Sequence, residues 1–103
     1  MAKFDGVWKF TIISMMGEQY ATYTFKSEGN VLSGTAVDEG TGEVSTFDNG
    51  VIDGDSFHFN ITMKLPFGIM PFEITGTMQP DGTLAGESAM PMGVSKFTAV
   101  RVE

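Results

Sequence analysis

The chain has 103 residues, a length that suits one domain around a single core. Its formal charge is −7, from 6 Lys plus Arg against 13 Asp plus Glu, so the field around it repels nucleic acid and anionic membrane surfaces as partners. Cysteine is absent, which excludes a disulfide framework, a thiol nucleophile and a cysteine-type zinc site.

The N-terminal Met1-Ala2-Lys3-Phe4-Asp5 lacks an apolar signal core, which points to a cytoplasmic or already processed protein. No apolar run approaches the length of a membrane-spanning helix. With 13 Gly and 9 Phe, the composition favours strands and turns over helices.

Alternation with a period of two recurs along almost the whole chain. The first strand is expected over 7–14, with Trp8, Phe10 and Ile12 on one face. The second, over 19–26, turns Ala21, Tyr23 and Phe25 inward, and the third, over 31–37, turns in Leu32, Gly34 and Ala36. The fourth, over 43–52, has the weakest pattern. Phe47 and Val51 are expected inside and take Ser45 and Asn49 with them, although a bulge at Gly50 would shift that phase. The fifth strand is the cleanest, with Phe57, Phe59, Ile61, Met63 and Leu65 inward and His58, Asn60, Thr62 and Lys64 outward. The sixth turns in Met70, Phe72, Ile74, Gly76 and Met78. The seventh turns in Leu84, Gly86, Ser88 and Met90, and the eighth Phe97, Ala99 and Arg101.

Eight short strands with hairpin signals between them read as an antiparallel meander. Closing it removes exposed edges, so the expected fold is an all-β, eight-stranded, antiparallel up-and-down β-barrel in one domain over 1–103. A two-sheet β-sandwich is the alternative. The connections come in two kinds that largely alternate. Ser27-Glu28-Gly29-Asn30, Asp53-Gly54-Asp55 and Gln79-Pro80-Asp81-Gly82 are polar turns. Ser14-Met15-Met16-Gly17, the 65–71 segment and Ala89-Met90-Pro91-Met92-Gly93 are apolar. In an up-and-down barrel, alternate connections fall at opposite ends, so one end is expected polar and closed and the other apolar.

Gly6-Val7-Trp8 at the start of the first strand resembles the Gly-x-Trp signature of lipocalins and related calycins. In that superfamily a basic residue on the last strand packs over the tryptophan, and Arg101 stands where that residue would be. The recurring turn-and-glycine pattern also resembles avidin-like barrels. These resemblances imply a small ligand-binding barrel in which Trp8 and Arg101 are structural, and they carry over no site chemistry.

The apolar end is the first candidate site. Methionine is flexible and polarizable and suits surfaces that adapt to apolar partners. Phe10, Ser14, Met16, Tyr23, Asn49, Phe59, Met63, Leu65, Phe67, Met70, Phe72, Ser88, Met90 and Met92 are the expected ligand-binding residues, with Tyr23, Asn49 or Ser88 orienting the ligand. The same loops could instead plug the barrel, or pack on a second copy in a homodimer or higher homo-oligomer. An isomerase, cyclase or lyase is the catalytic alternative, with Tyr23 as general acid and Glu43 or Asp48 as base. Asp38, Glu39 and Glu43 around Gly40-Thr41-Gly42 read as solvated loop charge. His58 falls on the outer face without a second histidine, so no metal is expected there, and no cofactor is expected elsewhere. The leading expectation is a barrel that binds a hydrophobic small molecule through its Met/Phe/Pro-rich end.

Overall fold

The computed structural model describes residues 3–14, 17–65, 68–91 and 93–102, with the Leu65 side chain left out. Eight strands follow one another: β1 (Gly6–Ser14), β2 (Gly17–Glu28), β3 (Val31–Asp38), β4 (Val44–Asp53), β5 (Ser56–Leu65), β6 (Gly68–Met78), β7 (Leu84–Met90) and β8 (Gly93–Arg101). Each pairs antiparallel with the next, and β1 pairs with β8 from Trp8↔Arg101 to Ile13↔Lys96, which closes the barrel. The up-and-down barrel is therefore the architecture, and the sandwich is not.

The polar turns do gather at one end. Gly29 and Gly54 each adopt a φ of +62°, the left-handed value that a two-residue hairpin of the II′ kind places at its first central position. The connections after β1, β3, β5 and β7 lie at the other end.

The predicted inward faces form the core. Trp8, Phe10, Tyr23, Phe25, Leu32, Phe47, Phe57, Phe59, Leu84 and Phe97 are all buried, with Ala21, Ala36 and Ala99 between them. An eight-stranded barrel is just wide enough for side chains to fill it, and here rings do so. Phe10 lies 4.2 Å from Tyr23 and 4.7 Å from Phe97, while Phe47 stacks on Phe59 at 3.9 Å, all centroid to centroid. The paired inward glycines Gly76 and Gly86 make room for these rings. A Cβ on Gly76 would stand 2.5 Å from Cζ of Phe57, and one on Gly86 would stand 2.9 Å from Cζ of Phe97. The space that glycine frees is taken by phenylalanine.

In β4 the expected phase fails after Phe47. A step of two residues on β3, Leu32 to Gly34, is matched by a step of three on β4, Gly50 to Phe47. One extra residue is thus inserted in β4, and it flips every later side chain. Gly50 and Ile52 take the inner positions, whereas Val51 is 56% exposed and Asn49 is exposed. A side chain at Gly50 would strike Leu32, with its Cβ 2.7 Å from the Leu32 carbonyl oxygen, so the bulge needs glycine here.

The base is closed by a segment whose role the alternation did not reveal. Phe4 is 1% exposed and meets Phe57 edge-on at 5.2 Å. The Trp8 indole N–H donates to the Phe4 carbonyl at 2.9 Å. Asp5 Oδ1 accepts from both the Ser27 amide and the Ser27 hydroxyl at 2.7 Å, and Lys3 pairs with Asp55. Arg101 covers this arrangement. Its guanidinium carbon lies 4.3 Å from the centroid of the Trp8 ring, and the group donates to the carbonyls of Asp5 and Lys3. The residue as a whole is exposed, so Arg101 caps the base from outside and pays little of the desolvation cost of an inward charge. This cap and the closed barrel are consistent with calycin architecture.

Candidate functional site

The ladders loosen toward the opposite end. β4 and β5 pair only at Val51↔His58, Ile52↔Phe57 and Asp53↔Ser56. Beyond that point the Asn49 side chain stands in for a peptide unit. Its Nδ2 donates to the Asn60 carbonyl at 3.0 Å, and its Oδ1 accepts from the Asn60 amide at 2.8 Å. β6 leaves β7 after Glu73↔Ala89, so Gly68–Phe72 pair with β5 alone.

Interior character changes with the ladders. Above the aromatic layer, the inner face carries half-buried Ile12, Met63, Met70, Phe72 and Met90, together with Ser45 and the buried Ser88. Phe10 and Phe59, expected as pocket lining, are fully buried members of the packed core. Ser14 is half-buried, and its hydroxyl donates to the Gly17 carbonyl at 3.3 Å. Leu65 ends β5 opposite Gly68. Met16, Phe67 and Met92 lie outside the described residues.

Tyr23 joins the two regions. The residue is 2% exposed, and its ring packs against Phe10, Phe25 and Phe59. Its hydroxyl makes no hydrogen bond among the described residues. No fully buried side-chain nitrogen or oxygen among these residues lacks a partner, so the hydroxyl is the part of Tyr23 that keeps access to solvent. Burial pushes its pKa up, and the negative charge of Asp38 pushes it further. Asp38 sits opposite Ala21, while Tyr23 sits opposite Ala36, so the carboxylate is one inward position closer to the mouth than the Tyr23 ring. One oxygen of Asp38 is bound by its own loop, accepting from the amides of Gly40 at 2.7 Å and Thr41 at 3.4 Å. Treating Asp38 only as loop charge missed this placement, although the alternation Leu32, Gly34, Ala36, Asp38 carried it.

The proposed bases and Asn49 do not converge with Tyr23. Glu43 is exposed at the start of the fourth strand region, and Asp48 is exposed in the bulge; neither shares a hydrogen bond with Tyr23. Asn49, expected inside, is exposed on the seam. With Phe72 and Met90 it borders an open groove of about 410 Å³ on the wall, completed by Asn60, Ile61, Thr62, Pro71, Glu73, Ala89 and Pro91. His58 faces outward as expected, its Nε2 2.9 Å from Glu73 Oε2.

Acidic side chains gather on one flank of the mouth, with Lys9 over the Tyr20 ring beside them. Glu18, Glu39 and Glu43 stand on the β2–β4 flank, where the Tyr20 hydroxyl donates to Glu18 at 2.8 Å and the Thr22 hydroxyl to Glu39 at 2.9 Å. On the outer wall near this end, Ile13, Val44, Ile69 and Val94 are each more than half exposed, at 52%, 61%, 69% and 62%. Comparison with protein-family models, with curated proteins and with solved structures finds no match to this chain.

Proposed function

We propose that the chain is a small binding barrel that holds a hydrophobic small molecule at its Met/Phe/Pro-rich end. The observation that carries this reading is the break in the interior. Rings jam the base and middle, whereas the upper inner face offers half-buried Met63, Phe72 and Met90 beside the hydroxyls of Tyr23 and Ser88. An apolar wall with a few polar groups is the usual character of a small-molecule site. Flexible thioethers let such a wall fit itself to a ligand. The ligand rests on the aromatic layer rather than passing through it, and burial of its apolar surface drives binding at about 25 cal/mol per Å². The lipocalin resemblance of Gly6-Val7-Trp8 and Arg101, and the avidin-like turn-and-glycine pattern, imply a small ligand-binding barrel of this kind.

Titration with the neutral dye Nile red tests this. We expect a saturable fluorescence increase with one site per chain, weakened about tenfold in the double variant Met63→Gln, Met90→Gln through loss of apolar contact. A response that never saturates, or one unchanged in the double variant, would count against the reading.

A second reading is favoured by the exposed outer rim of Ile13, Val44, Ile69 and Val94. Apolar surface of this kind is commonly covered by another chain, and a homo-oligomer would cover it here. Light scattering across concentration tests it: an oligomer that dissociates in an Ile69→Lys, Val94→Lys variant supports the interface, and a monomer at every concentration removes it.

A further inference from the structure

Resting on the ligand-binding reading, we infer that Asp38 and Tyr23 make the mouth selective for lipophiles with a neutral or cationic head, above all a protonated amine, and exclude carboxylate amphiphiles. The argument starts from Tyr23. A phenol is a strong hydrogen-bonding group, and one buried to this degree is normally satisfied within the protein. Here the ring is fixed by Phe10, Phe25 and Phe59, while the hydroxyl has no partner among the described residues. The hydroxyl, able to donate or to accept, is left for a ligand.

Asp38 supplies the complement. It lies on the neighbouring strand, one inward step nearer the mouth, and it is half-buried. Its loop engages only Oδ1, from the amides of Gly40 and Thr41, and no described hydrogen bond uses Oδ2. On the β3 and β4 side the inward positions by the pair are small, with Ala36 opposite Tyr23 and Ser45 opposite Ala36, whereas Trp8 and Phe10 fill the β1 side. A head group would meet the carboxylate and the phenol from that less bulky side. In an eight-stranded barrel β2 and β3 lie across from β6 and β7, which carry Phe72 and Met90, so a ligand tail has an apolar wall to face.

An ammonium or hydroxyl donates to Asp38, and the Tyr23 phenol accepts from an ammonium or donates to a hydroxyl. A carboxylate meets a like charge at Asp38, a second acidic flank at Glu18, Glu39 and Glu43, and the field of a chain with a formal charge of −7. The lysines near this end stand on outer faces: Lys9 on the neighbouring β1, with its Nζ 5.3 Å from the centroid of the Tyr20 ring, Lys64 on β5 and Lys96 on β8.

The experiment compares dodecylamine, dodecanol and dodecanoate below their aggregation concentrations. Binding is followed by NMR of ¹³C-labelled methionine methyls in the full chain. We expect the amine to bind about tenfold more tightly than the carboxylate, the size of one charge-assisted hydrogen bond gained against one like-charge contact. Asp38→Asn, which keeps the loop acceptor, should bring amine and alcohol to equal affinity. Tyr23→Phe should weaken the alcohol about threefold while sparing the amine preference. Reading ratios between ligands within each variant removes any general loss of stability. Equal binding of all three ligands, or an amine preference that survives Asp38→Asn, overturns the selectivity and leaves the binding reading standing. No methyl shift with any of the three overturns both.

Discussion

The base and the mouth of this barrel are built from one sheet and differ in how many independent constraints hold them. At the base, Phe4 fills the opening, the Trp8 indole binds the Phe4 carbonyl, Arg101 lies over the Trp8 ring, and Asp5 fastens Ser27. Each contact fixes the others, and most of the polar groups involved are paired. At the mouth, the β4–β5 ladder stops three pairs from its turn and is continued by one side chain, and the end of β6 pairs on one side only. Packed rings give way to thioethers, serines and a phenol with an unused hydroxyl. The contrast teaches that a barrel of this size can put its stability in one half and leave adaptable surface at the other, where a ligand or a second chain can be met without disturbing the core.

The sharpest test of that division is a pair of truncations. Phe59→Ala removes a ring stacked on Phe47 in the packed layer, and we expect a loss of about 3–5 kcal/mol in urea unfolding. Met63 lies four residues along the same face of β5 but is only half-buried, and for Met63→Ala we expect about 1 kcal/mol. Equal losses would erase the distinction between the halves.

Tyr23 tests the boundary itself. Its folded pKa is raised above the ordinary 10.0, first by burial and then by Asp38. The neutral phenol is therefore the form that folding favours. Its contribution to stability is whole below the ordinary value and is lost as pH rises above it toward the raised value. The slope is at most about 1.4 kcal/mol per pH unit for one proton. In alkaline unfolding, Tyr23→Phe should lack this component and match the parent more closely below pH 10 than above it. Parallel curves for the two proteins would mean that Tyr23 is not held neutral.

The smallest expected effect is at the seam. Asn49→Ala removes two hydrogen bonds to the Asn60 backbone in an exposed setting, at a cost of about 1 kcal/mol. Faster exchange of the Asn60 amide than of amides around Trp8 would place the loosening at the mouth. Unchanged exchange would show that the seam is held by other contacts.

Much of this was legible in the chain. Alternation of large apolar residues gave the inner faces of most strands, because side chains on a strand point to opposite sides in turn. Polar turns with Gly29 and Gly54 marked one end. The fourth strand was ambiguous beyond Phe47: Gly50 hinted at a bulge, but only the pairing with β3 shows the extra residue and which face each later side chain takes. Asp38 was legible by phase but was set aside for its loop neighbours. Phe4 lay outside any strand and had no alternation to report it.

By itself the sequence determined the strand count, the antiparallel meander and the separation of polar and apolar ends. These follow from local periodicity, turn chemistry and composition, which every short segment carries within itself. Only the tertiary structure decided what fills the lumen, which way Asn49 and Val51 face, how the base is stoppered, and that the Tyr23 hydroxyl is left with Asp38 above it. Those are relations between strands far apart in the chain, set by register and by the width of an eight-stranded barrel, and no single segment encodes them.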